Sequence, residues 1–266
     1  MLAPSQDCRL DESSLAEAAS SLRLKVTELN RIVDFAQPLP LTSMATLNEA
    51  TTMANTLRAL RIESVTVPHE DLHLGVAPTK IRALKLTDDS LVAIPVGGKA
   101  GISVRWDEVT LLVAGRLLLN RVEVEERRRR GRNQTVDTRQ LFSDESVLDL
   151  YTKTDEVNWR INASSFDFSC LGSSKSVTTF ANFTALVELL RERATNAQFD
   201  DSYVQLRQAL AIVWPLGKET RKGEWRRSGA GKFDTATVTT TDNDPQFTRY
   251  SRLRQYLRLR ELEDGR

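Results

Sequence analysis

Residues 81–193 read as a run of strands closed by one helix. Ile102, Val104 and Trp106 alternate with Ser103, Arg105 and Asp107, the period of a strand with one face in a core and the other in solvent. Val122 and Val124 alternate with Glu123 and Glu125, Leu148 and Leu150 alternate with Asp149 and Tyr151, and Val157, Trp159 and Ile161 repeat the pattern. Residues 81–86 and 91–96 flank a turn at Asp88 and Asp89, and Gly97, Gly98 and Gly101 mark the next turn. From Thr179 to Arg193 the period lengthens, placing Phe180, Phe183, Val187 and Leu190 on one face of a helix suited to cover a sheet.

On either side of this run the pattern is mainly helical. Leu15, Leu22, Val26, Leu29 and Val33 predict a single helix over 15–33, stopped by Pro38 and Pro40. An extended stretch at 39–44, a helix at 47–60 and a strand at 62–67 follow. Residues 1–70 are therefore expected to form a small α+β unit, an α/β sandwich comparable to half of a ferredoxin-like fold. Residues 68–79, with Gly75 and Pro78, read as a linker. Residues 200–215 predict another helix, 218–232 a basic loop, and 237–241 a short β segment. Asn243 or Asp244 is placed to cap a last helix with Pro245 in its first turn and Phe247, Tyr250, Leu253 and Leu257 on one face.

The resulting expectation is an α+β protein with three parts: 1–70, 80–194, and a basic helical extension over 200–266. Its 266 residues, 40% of them apolar and 27% charged, exceed one usual domain and suffice for a sizeable core. The net charge of +1 conceals polarity along the chain. Residues 1–70 hold six Lys/Arg against nine Asp/Glu, whereas 218–260 hold eleven against five and 121–132 six against three. An anionic partner is expected to meet the second half. Cys8 and Cys170 are too few for a disulfide framework. With no apolar signal core in residues 1–20 and no apolar membrane-length stretch, a cytoplasmic protein is expected.

The run Leu86-Thr87-Asp88-Asp89-Ser90-Leu91, the glycine-rich turn, Ile102-x-x-x-Trp106-Asp107-Glu108-Val109 and the closing amphipathic helix resemble bacterial pleckstrin-homology-like domains over about residues 80–194. The resemblance implies a bent antiparallel barrel with a C-terminal helix, used to bind lipids, peptides or other domains. It carries no catalytic motif and no ligand residue. The hairpin at Glu125-Glu126-Arg127-Arg128-Arg129-Arg130-Gly131-Arg132 departs from the compact form of that family.

Candidate chemistry is sparse. His69-Glu70-Asp71-Leu72-His73 fits the H-E-x-x-H zinc signature, in which two histidines one helical turn apart hold the metal and the glutamate activates water. These are the chain's only histidines, and Pro68, Gly75 and Pro78 leave little room for the long helix the mechanism needs. A polar linker is the expected reading, with neither metal nor cofactor and a zinc metallohydrolase as the minor alternative. Gly97-Gly98-Lys99-Ala100-Gly101 and Gly229-Ala230-Gly231-Lys232 lack Walker spacing. Trp225 lies among Lys222, Arg226 and Arg227, the one aromatic inside a basic cluster.

Arg127, Arg128, Arg129, Arg130 and Arg132, together with Arg249 and Arg252 on the last helix, are the candidate anion-binding residues, since guanidinium groups pair bidentately with phosphate and carboxylate. The competing reading leaves these side chains in solvent, with the last helix docked by its apolar face. The expected function is a non-enzymatic binding or adaptor protein whose partner is an acidic protein surface, an anionic lipid or a nucleic acid. The alternative is a structural protein that forms homo-oligomers.

Overall fold

The computed structural model describes residues 11–264 except 99, 130–131, 155–157 and 227–232, and within 125–137 and 223–236 only the backbone. The protein is α+β and divides into two compact units, one comprising the chain up to Val76 with Val204–Pro215, the other Ala77–Tyr203 with the chain from Leu216.

The first unit is helical. Glu12–Leu22 (α1), Val26–Asp34 (α2) and Leu47–Ala59 (α3) replace the expected sandwich. The single helix expected over 15–33 is broken at Arg23, whose φ of 57° is left-handed. Leu24 N–H bonds back to Ala19 O at 2.9 Å to close α1, and the Glu28 carboxylate accepts the Lys25 N–H at 2.9 Å to open α2. The apolar period continues across this break, which is why periodicity merged two helices. Leu39 and Leu41 are buried, yet residues 39–44 form no strand, because Pro38 and Pro40 lack the N–H donors of a ladder. Residues 62–67 supply a single bridge at Ser64 rather than a strand.

The second unit is built on Thr79–Leu86 (β1), Ser90–Pro95 (β2), Ile102–Arg105 (β3), Val109–Arg129 (β4), Arg132–Thr152 (β5), Asn158–Asn162 (β6), Gln198–Asp200 (β7), Gly217–Arg226 (β8) and Phe233–Asp242 (β9). Its long helices are Thr179–Arg193 (α4) and Asp244–Asp264 (α6); between them Tyr203–Val213 (α5) passes into the first unit. The strands form one sheet that curls into a half-barrel in the order β3-β2-β1-β6-β5-β4-β9-β8, with β7 also on β4. The antiparallel barrel expected from the sequence is corrected in two places, where β1 runs parallel to β6 and β7 parallel to β4. After β3 the chain leaves through a one-turn 3-10 helix at Trp106–Glu108, so the outer edge of β1 stays open for β6.

Alternation gives the sheet two buried faces. Leu112, Leu148, Leu150, Trp159 and Ile161 join Phe183, Leu186, Val187 and Leu190 of α4 in the main core. Phe180, expected on that apolar face, is instead exposed, as is Ile102 on β3. Trp106 is buried and donates from Nε1 to Thr87 O at 3.0 Å, tying the end of β3 to the β1–β2 turn. The intervening residues Leu111, Val113, Val147, Asp149, Tyr151 and Arg160 are buried on the other face, where α6 packs.

The expected basic loop at 218–232 is corrected as well. Residues 217–226 are a strand paired along their length with β9, and β9 pairs with β4 from Leu119↔Asp242 to Arg127↔Asp234. The sequence shows no apolar alternation there because backbone ladder bonds, rather than a buried side-chain face, hold β8 in place. The expected helical extension is thus a β-hairpin and a helix that belong to the unit of the central sheet.

Candidate functional site

Beyond the helix-covered part of the sheet, β5, β4, β9 and β8 continue as a four-stranded antiparallel arm. The strand register brings its two hairpin ends to the same level. Arg127 on β4 lies opposite Gln134 on β5 and Asp234 on β9, and Asp234 lies opposite Trp225 on β8. Arg128 and Arg129 then pair with Asn133 and Arg132, and Arg226 with Phe233. Two basic segments far apart in sequence, 127–132 and 222–227, therefore terminate side by side. The side chains of Arg127, Arg128, Arg129, Arg132 and Trp225, and the whole of Arg130, lie outside the described residues, so the juxtaposition is one of backbone register.

The base of the arm is anchored by α6. The outer edge of β4 takes β7 at Leu111–Val113 and β9 from Leu119 onward, which leaves a gap between them. Asn243, buried just before α6, fills it: its Oδ1 accepts the Leu118 N–H at 2.6 Å and its Nδ2 donates to Arg116 O at 3.0 Å. A side-chain amide thus continues the backbone ladder where no strand is present. Gly115 sits in the same gap because the Phe247 ring rests on it; a Cβ there would lie 2.5 Å from Phe247 Cε2.

Charged groups pack between α6 and the sheet. Arg160 on β6 meets the Asp149 carboxylate through Nε and Nη2, both at 2.7 Å, and its Nη1 reaches Asp244 at 2.6 Å and Thr248 Oγ1 at 3.1 Å. Its guanidinium carbon also lies 5.0 Å from the centre of the Phe247 ring. Tyr151 shares a 2.7 Å hydrogen bond with Ser251. Tyr250 donates to Asp200 at 2.7 Å, and Arg254 pairs with the same carboxylate at 2.6 Å.

The ionisation of these groups follows from burial. Burial alone would lower the Arg160 pKa, but the charge and hydrogen bonds of Asp149, with Asp244 beyond, outweigh it and raise the pKa. Tyr151 is pushed well above the tyrosine range by burial and then by Asp149, against the opposing effect of Ser251 and the arginines. Tyr250 is raised by burial and by Asp200.

The last helix differs from both expectations for its arginines. Arg252 is 3% exposed, donates to Gln255 at 3.1 Å and, with the Asn158 amide turned toward it, to that oxygen at 3.1 and 3.2 Å. Arg249 is half-buried, Arg258 pairs with Glu261 at 3.2 Å, and Arg260 stacks over Tyr256. Arg252 therefore faces the protein interior, away from the arm end. No regular apolar stripe announces a helix that buries Gln246, Ser251, Arg252 and Gln255 alongside Phe247 and Tyr250. The available sequence signal was the isolated charge at Asp149 and Arg160 inside strands otherwise apolar on both sides.

The H-E-x-x-H segment does not form the α-helix its chemistry requires. Glu70–Leu72 is a single 3-10 turn, and His73 ends it with a left-handed φ of 45°. Among the described residues no three His, Cys, Asp or Glu side chains gather as a metal site, and no helix is long and apolar enough to cross a membrane. Gly97 and Gly98, at φ 91° and 74°, form a turn leading toward β3 rather than a loop before a helix. Cys170 is half-buried, and burial pushes its thiol pKa up.

No protein-family model, no curated protein and no solved structure matches the chain.

Proposed function

We propose that this is a non-enzymatic binding or adaptor protein that holds an anionic partner against the end of the β arm. The observation that carries the proposal is the register that terminates residues 127–132, with five arginines, beside the Lys222, Trp225 and Arg226 end of the neighbouring hairpin. A closely spaced set of guanidinium groups suits phosphates or carboxylates presented in a row. The buried charges beneath α6 are satisfied by one another and act as an anchor for the arm. In this reading residues 80–194 supply a pleckstrin-homology-like binding module from which the arm extends, and the protein works in the cytoplasm.

The test offers the full chain three probes at low salt: vesicles containing anionic lipid, duplex nucleic acid, and an acidic polypeptide. Binding to one of them is expected, weakening as salt rises, with a slope of about 0.9 log units per duplex phosphate neutralised where the duplex is bound. Replacing Arg127, Arg128, Arg129 and Arg130 by Ser should abolish it. Failure to bind any probe, or binding that survives the replacement, overturns the reading.

A further inference from the structure

A strand at the margin of a sheet presents a row of unpaired backbone donors and acceptors, and proteins that remain monomeric cover or charge such edges. Among the described residues the arm has two margins, β8 on one side and, on the other, β5 as far as Val147, where β6 takes the edge. They differ in chemistry. β8 carries Lys218, Glu219, Arg221 and Lys222, all exposed or half-buried, the charge density that discourages pairing. On β5, residues 138–144 are seven consecutive exposed positions that include Leu141 at 59% and Phe142 at 66% exposure. Neighbours along a strand point to opposite faces, so an element laid on one face of the arm would cover only one of this pair. A strand added at the edge flanks both.

The pairable stretch has a defined centre. It is bounded on one side by Val147, opposite Asn162 of β6. On the other side the β4–β5 register slips, with Glu125 opposite Asp137 and Glu126 opposite Thr135, so Val136 is an extra residue that bends β5 away. The straight, uncovered segment between these limits is 138–146, and its middle residue is Phe142.

We propose that β5 pairs antiparallel with β5 of a second copy of this chain, about a twofold axis through Phe142. In that register Phe142 faces its own copy, Leu141 faces Ser143, Gln140 faces Asp144, and Arg139 faces Glu145, the last three pairs occurring twice by symmetry. The two sheets become one, and an opposite-charge pair brackets an aromatic pair on the axis. Moving the axis to Leu141 would instead set Asp137 against Glu145, two acids. Beyond Thr138 the bend at Val136 carries the end of each arm past the other copy's β6.

The surface is distinct from the basic arm end, and its test is separate from anion binding. Sedimentation equilibrium on the full chain should show a reversible dimer. Phe142→Lys, at an exposed position where folding is checked by circular dichroism, should raise the dissociation constant at least about tenfold, that is by 1.4 kcal/mol. In a chain with Cys8→Ser and Cys170→Ser, Phe142→Cys should form a covalent dimer on mild oxidation, because the residue meets itself on the axis, whereas Thr138→Cys should not. A strict monomer, a dimer indifferent to Phe142→Lys, or cross-linking through Thr138→Cys in place of Phe142→Cys overturns the proposal.

Discussion

Arg160 and Asp149 meet side-on across β6 and β5, with two parallel contacts of 2.7 Å between side chains that are 3% and 1% exposed. Taking two charges out of water costs several kcal/mol per ion, so this pair persists only because each lone pair and proton finds a partner. Removing one member should therefore hurt more than removing both. Arg160→Met leaves the Asp149 carboxylate buried alone and should cost about 3–5 kcal/mol. The double variant with Asp149→Leu should recover most of that loss, as read by urea unfolding. Equal losses in the two variants would mean that the pair's own attraction, rather than the stranded charge, sets the cost.

Asn243 supplies a stretch of ladder with its side chain. In Asn243→Ala, the Leu118 N–H and Arg116 carbonyl lose their partners, and a loss of about 2–3 kcal/mol is expected from two missing hydrogen bonds at a partly buried site. Asn243→Asp keeps the acceptor and loses only the donor, so its loss should be smaller. Amide exchange at Leu118 is the direct readout: it should accelerate in the alanine variant and remain slow in the aspartate one.

Gly115 is required by contact rather than by backbone conformation. A methyl group there would lie 2.5 and 2.8 Å from Phe247 and 3.1 Å from Tyr203. Gly115→Ala should destabilise by about 1–3 kcal/mol through overpacking. Combining it with Phe247→Leu should be less damaging than the sum of the two single changes. Strict additivity in thermal melts would place the clash elsewhere.

The raised tyrosine pKa values predict alkaline sensitivity. Tyr151 and Tyr250 stay protonated in the folded chain well above their ordinary value of 10.0. Below pH 10 folded and unfolded states hold these protons alike, and the full stabilisation is present. Above it the unfolded chain releases them while the folded chain does not, so stability falls by up to about 1.4 kcal/mol per pH unit for each tyrosine. Urea unfolding at several pH values above 10 should show this slope, and Tyr250→Phe should flatten it. An unchanged slope in that variant would assign the alkaline transition to other groups.

Cys170 should react sluggishly with thiol reagents near neutral pH, because burial holds its pKa above the ordinary 9.0. Denaturant should restore the rate. Fast labelling of the native protein at this residue would contradict the burial that raises it.

Elements whose side chains alternate or recur against a core are legible in the amino-acid pattern alone. Val104, Leu148, Leu150, Trp159 and Ile161 point inward from strands, and α4 spans the residues its period indicates. Where stability comes from backbone bonds or from charge meeting charge, that signal is absent. β8 has no apolar face, so its Lys-rich sequence reads as a loop. Arg252, Arg160 and Asp149 look like solvent-facing residues until the sheet and α6 bring compensating partners around them.

By itself, then, the sequence determined which local segments could bury a face and where charge accumulates, because period and composition are properties of neighbouring residues. Only the tertiary structure decided that β6 and β7 run parallel to their partners, that the two basic hairpin ends share one end of an arm, and that Asn243 completes the edge of β4. Those outcomes depend on hydrogen bonds between residues distant in the chain, and such bonds leave no periodic trace along it.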